Sequence, residues 1–236
     1  MLRFIVSLSL LFSVVTSYAQ EGDSTTVTKK VKEPLDWTPT IIRVGIDAVG
    51  LTKSFTLEGY RSMEVSGEIA MAKYLFSVDL GNYSHSFSNT IGTDPFQYKT
   101  SGTFFRLGAD ANFMTKDPDN NAAFFGVRYG RALFNETLDY TLPDPVSGSP
   151  TNYSASNTNY SAGWGEFVLG LRVKVLPLIY LGYTVRYKFA LGFKDSDVLI
   201  PYEVPGYGPT FEGSLKNSYW GFNYYVAIGI PLKKRG

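Results

Sequence analysis

Few residues in this chain are equipped for chemistry. His85, within NYSHSFS, is the single histidine. The serines available to it, Ser84 and Ser86, are its immediate neighbours, and neighbours on an extended strand point to opposite faces. A Ser–His nucleophile needs both groups on one face within hydrogen-bond reach, so His85 reads as a rim or surface histidine. Asp117, Asp119, Asn120 and Asn121 in KDPDNN offer oxygen ligands. They lack the spacing and closing glutamate of a calcium loop, and read as a turn. The chain has no cysteine, which excludes disulfides, thiolate metal sites and a lipidated cysteine. With one histidine besides, zinc is not expected. No glycine-rich phosphate loop is present. The sequence therefore gives no catalytic residue, no metal and no cofactor.

What remains is charge placed on one side of alternating segments. Arg43, Asp47, Glu64, Glu68, Asp79, Arg106, Asp110, Arg128, Glu166, Arg172, Lys174, Arg186 and Lys188 each sit between apolar neighbours at period two. The stretch Phe167 to Phe193, FVLGLRVKVLPLIYLGYTVRYKFALGF, is the clearest case. It is apolar enough for a membrane segment yet carries four cations. As a helix it would place Arg172, Lys174, Arg186 and Lys188 in hydrocarbon, at about 2.5 to 3.5 kcal/mol each. As two strands joined at Leu176, Pro177 and Leu178, it turns every cation inward and every large apolar residue outward. Pro177 lacks an N–H and belongs in the turn. Inward residues must pair with inward residues, so an odd number of residues is expected in that turn, with Glu166 opposite Lys188 or Arg186.

The same alternation recurs from Ile42 to Ala48, Met63 to Met71, Phe76 to Leu80, Phe105 to Phe113, Phe125 to Tyr129 and Tyr224 to Ile230, with a bulge expected near Arg131. No window shows a sustained helical period. Connectors alternate in length. Those at Ala72, Lys116 to Asn121 and Leu176 to Leu178 are short; those at Ser84 to Ser101, Leu142 to Asn159 and Lys194 to Ser218 are long and read as loops, with a modest one at Leu51 to Glu58. Short turns at one end and long loops at the other are the pattern of an antiparallel transmembrane β-barrel, here of about eight strands. A soluble β-sandwich or lipocalin-like barrel also alternates. The membrane reading is favoured by aromatics at strand ends, by glycine sharing the charged face, where a narrow lumen needs room, and by the N-terminus. MLRFIVSLSLLFSVVTSYAQ is a signal peptide with cleavage expected after Ala19. Residues 20–39 read as a flexible periplasmic arm, 40–232 as the barrel and 233–236 as a basic tail. Net charge is +1, from 22 Lys and Arg against 21 Asp and Glu, so no nucleic-acid partner is expected.

The signal ending SYAQ, the first strand IIRVGIDAVG and the closing YWGFNYYVAIGIPLKKRG resemble uncharacterised families of small outer-membrane β-barrels from Bacteroidota. Gly221, Tyr224 and Val226 loosely resemble the insertion signal read by the barrel-assembly machinery, departing from it at Pro231, Leu232 and the basic tail. The resemblance implies the outer membrane of a Gram-negative bacterium, contact with its lipid, and transient contact with that machinery. The expected role is non-enzymatic: structural, or interaction with a surface or envelope protein through the long loops, with the lumen plugged by charged side chains. A narrow channel or polar-ligand barrel is the alternative, and a lipid-modifying enzyme at the rim comes third.

Overall fold

The computed structural model describes residues 35–91, 94–143, 148–193, 199–210 and 218–233. The signal peptide, most of the arm and the end of the basic tail lie outside the described residues. From Asp36 onward the chain forms β1 (Pro39–Asp47), α1 (Ala48–Thr56), β2 (Tyr60–Met71), β3 (Tyr74–Ile91), β4 (Asp94–Asn112), β5 (Ala122–Pro143), β6 (Pro150–Leu176), β7 (Ile179–Phe193), the two-residue strands β8 (Glu203–Val204) and β9 (Gly208–Pro209), and β10 (Ser218–Pro231). Eight strands close into an antiparallel ring, β1-β10-β7-β6-β5-β4-β3-β2. Closure comes from β1 pairing with β10, Ile42 opposite Ile230 and Ile46 opposite Val226.

The polarity of the ring is inverted relative to a soluble barrel. Val44, Val65, Val78, Leu107, Val127, Leu169, Leu171, Phe222 and Ile228 are exposed on the outside, while Arg43, Glu64, Asp79, Arg106 and Arg186 are buried inside. An apolar exterior of this extent is stable only against lipid, because in water it would be one large unburied patch. Aromatic pairs flank this belt: Trp37 stacks on Tyr74 at the end where β1 begins and β10 finishes, and Tyr187 packs on Trp220 toward the other. Among the described residues no helix is long and apolar enough to cross a membrane. The fold is thus an all-β, eight-stranded transmembrane barrel.

Three local expectations are corrected. The Leu51 to Glu58 connector is largely helix, α1, started by Asp47, whose carboxylate accepts from the backbone N–H of Val49 and Gly50. Nine residues are too few to show a helical period, and the cap supplies the start signal. The segments read as loops at Ser84 to Ser101 and Leu142 to Asn159 are mostly strand: β3 and β4 pair continuously from Tyr74–Ala111 to Ile91–Asp94, and β5 and β6 out to Pro143–Pro150. There the outer face meets water and the inward face carries buried polar residues such as Thr100, Glu136 and Asn157, so the apolar alternation fades while the backbone ladder continues. The bulge expected at Arg131 lies further along, between Phe134 and Glu136; Arg131 itself pairs in register.

The parity of the β6–β7 hairpin is met in two steps. Leu176 pairs with Ile179 across a two-residue turn, with Leu178 at φ +67°, and a register shift at Val175 then restores the odd count. Lys174 therefore lies opposite Tyr180, and Glu166 opposite Lys188.

Candidate functional site

Inside the ring the side chains form layers. Nearest the termini is an apolar cluster of Ile41, Ala70, Leu75, Ala122, Phe124, Val168, Tyr180 and Ala227. Toward the opposite mouth is an aromatic cluster that includes Tyr83, Phe104, Phe134, Tyr160, Trp164 and Tyr207. Charged residues fill the middle. Glycine makes this possible where rings lie flat on the wall: a Cβ on Gly81 would stand 2.1 Å from the Phe104 ring, and one on Gly130 would stand 2.2 Å from the Trp164 indole.

Asp79, on β3, is the hub of the charged layer. Its Oδ2 accepts from Arg128 Nη1 at 2.8 Å and Arg106 Nε at 3.2 Å, and receives Arg186 at 3.4 Å. β7 stands four places from β3 in the ring of eight, so the Arg186 contact crosses the full diameter. Arg186 also donates to Glu166 at 2.9 Å and to the Tyr225 hydroxyl at 2.6 Å. Arg106 reaches Glu64, which also takes the Tyr225 hydroxyl. Arg128 completes the layer through Asp110 at 2.9 Å. Nearer the termini, Arg43 bonds Glu68 and the carbonyl of Asn120, and Arg172 lies 3.6 Å from Glu68 with its guanidinium over Phe124 and Tyr225.

Of the thirteen charges singled out by alternation, all but Lys174 are buried. Lys174 sits beyond the last inward layer, where its half-exposed Nζ meets Asp119 of the β4–β5 turn at 2.8 Å. That position, at the open end of the barrel, removes it from the lumen. Asp47 is buried but belongs to no ion pair among the described residues; besides capping α1 it accepts from Asn223 Nδ2 and Tyr224 N. Glu166 faces Lys188 across the ladder, yet its ion pairs are with Arg186 at 2.9 Å and Arg106 at 3.9 Å. Lys188 Nζ donates instead to the carbonyls of Gly206 and Tyr207. Burial of so many charges is tolerated because Arg43, Arg106, Arg128, Arg172 and Arg186 are paired with Glu64, Glu68, Asp79, Asp110 and Glu166, and charges taken out of water need such partners.

Sequence reasoning missed several members. Tyr225 bridges Glu64 and Arg186, and Trp164 donates its indole N–H to Glu166 at 2.7 Å; both lie at inward parity, a signal that could have found them. Residues 199–210, read as loop, fold back into the mouth and bury Val204 and Tyr207. Glu203 anchors that return by accepting from Tyr83 at 2.6 Å and meeting His85 Nδ1 at 2.7 Å. The Pro205–Gly206 turn between aromatics was the available cue. His85 otherwise contacts the rings of Tyr60, Tyr83 and Phe87, while Ser84 and Ser86 alternate away from it. Among the described residues no cluster of acidic, histidine or cysteine side chains could hold a metal ion.

Among solved structures the chain is similar to Neisserial surface protein A, at 14% identity over 80% of this chain and 95% of that one, with a TM-score of 0.30. A comparison with curated proteins gives no match. The model of the family described as a domain of unknown function, DUF6048, matches residues 1–235, so the chain belongs to that family.

Proposed function

We propose that the protein is a non-enzymatic outer-membrane barrel of a Gram-negative bacterium, plugged across its middle and acting as an anchor for the strands that project on the outside. The observation that carries this reading is the contact between Arg186 and Asp79, whose side chains meet from opposite walls within the layer of buried charges. An eight-stranded barrel has an interior just wide enough for side chains to fill, and here apolar clusters bracket the charged layer on both sides. What projects is substantial. β6 is 27 residues long and β5 is 22, against about 9 to 11 needed to cross, so the β3–β4 and β5–β6 hairpins stand clear of the lipid as a four-stranded sheet. A role in contact with a surface or envelope partner follows from where that sheet stands. Insertion by the barrel-assembly machinery is part of the same reading.

Two measurements test it. In planar bilayers the purified protein should pass no steady current. Because the chain has no cysteine, a Ser88→Cys variant carries one thiol, which a membrane-impermeant maleimide should label on intact cells. Steady conductance, or a thiol reached only after lysis, would sink the proposal.

A further inference from the structure

On the lipid-facing side of the ring, between β2 and β5, the wall is cut by a groove of about 390 Å³. Its form follows from residue size. In the register row Met63–Asn82–Thr103–Leu133 the two middle residues, on β3 and β4, are short and polar, while Met63 and Leu133 stand on either side. The next row toward the middle of the membrane is Val65–Leu80–Phe105–Arg131, so the floor turns apolar at Leu80 and Phe105. The groove therefore has a polar end near the projecting hairpins and an apolar end within the belt.

Arg131 breaks the pattern of that second row. Its neighbours on the same face of β5, Tyr129 and Leu133, are exposed and hydrophobic, so its guanidinium stands in the surface that meets lipid. Its Nε and Nη2 donate to Ser161 Oγ at 3.2 and 3.1 Å. That acceptor is neutral, and it leaves Nη1 for another partner. Ser161 lies opposite Leu133, in the outer row, so the side chain leans toward the headgroup level, as long cationic side chains do at a membrane edge. Among the described residues no carboxylate lines the groove. Charge here has one sign, whereas the arginines of the interior meet carboxylates. A cation on the lipid face is costly unless an anion answers it, and the bilayer offers phosphate at this depth.

We infer that the groove seats one phosphate-bearing, acylated glycolipid of the outer leaflet. An acyl chain lies over Leu80 and Phe105, a phosphate takes the remaining donors of Arg131, and Asn82 and Thr103 face the polar linkage between them. This rests on the reading above, because the hairpins must project outward for the polar end to lie in the outer leaflet.

Native mass spectrometry of the detergent-folded full chain reads the occupant directly. With lipid A, a phosphorylated and acylated disaccharide, the barrel should retain one molecule per chain when lipid is limiting. Lipid A stripped of its phosphates should be retained about tenfold less, and Arg131→Gln should lower retention of intact lipid A by a similar factor, the loss of one charged contact. Arg131 points out of the barrel, so heat-modifiable gel migration of that variant should be unchanged. Thr103→Trp fills the floor and keeps the charge, and should also lower retention; if it disturbs migration, phosphate removal and Arg131→Gln still decide. Lys174→Gln, which removes a cation at the other end of the barrel, should have no effect. Phosphatidylglycerol retained as well as lipid A, retention indifferent to phosphate or to Arg131→Gln, or a lipid-free mass of two chains overturns the inference. Any of these results leaves the plugged-anchor reading standing, which falls only to conductance or to failed surface labelling.

Discussion

Asp79 offers the sharpest test of how the interior is held. Replacing it with Asn keeps the shape and removes one charge beneath three guanidiniums, those of Arg128, Arg106 and Arg186, at 2.8, 3.2 and 3.4 Å. Arg128 is then left with Asp110 alone, and Arg106 and Arg186 each lose one of their carboxylate contacts. Breaking a buried pair in this way costs about 3 to 5 kcal/mol. The pair Lys174–Asp119 is the control: similar in length at 2.8 Å, but with side chains 35% and 58% exposed, and worth about 0.2 to 1 kcal/mol. Urea unfolding in lipid vesicles, followed by tryptophan fluorescence, should show Asp79→Asn destabilised several times more than Asp119→Ala. Arg128→Met removes the cation closest to Asp79, so adding it to Asp79→Asn should cost less than the sum of the singles. If Asp79→Asn fell within about 1 kcal/mol of the parent, or the double variant were simply additive, the pairing argument would be wrong.

Further outcomes can be checked separately. Gly206 has φ +75° and its added Cβ would lie 2.5 Å from the Phe104 ring, so Gly206→Val should expel the 199–210 return, read as faster proteolysis there with barrel migration on gels unchanged. Gly130→Ala would press on the Trp164 indole at 2.2 Å and should reduce the near-ultraviolet circular dichroism of that tryptophan, with a loss of about 1 to 3 kcal/mol from overpacking. The Lys233 ammonium, 2.7 Å from Asp36, and the Thr38 bonds beside it hold the Asp36 carboxyl well below the usual carboxylate range. A depressed carboxyl contributes stability above its unfolded value, about 3.9, that is lost as pH falls, so the tie between Asp36 and Lys233 should loosen only in strong acid. Exchange of the amides near Thr38 against pH reads this directly.

The alternation of apolar and charged residues was enough to place the lipid-crossing strands, because one face meets hydrocarbon and the other a narrow polar interior. Leu169 to Arg172 and Val185 to Lys188 are legible residue by residue for that reason. Where the outer face no longer meets hydrocarbon, as from Asn135 to Leu142, polar residues stand on both faces, the physical cause of alternation is gone, and a strand there reads as loop. The interior charges were legible as a set. Their partners were not: Asp79 and Arg186 are 107 positions apart, and nothing local links them. α1 was hidden by its length, and the return of residues 199–210 by its lack of any repeating pattern.

The diameter-crossing contact between β3 and β7 also bears on how the barrel comes into being. Neither residue can reach the other while the sheet is open, so during synthesis and export each charge depends on water. Only when β10 zips onto β1 do the walls come within reach, and the contacts that cross the lumen become available at one moment, unlike neighbouring-strand pairs such as Arg128–Asp110 and Glu166–Arg186. A half-curled sheet pushed into lipid would lack those crossing contacts, which are among those of high sequence separation. Entry into the bilayer and closure of the ring are therefore coupled, and a chain stalled short of its last strand has no stable place in the membrane.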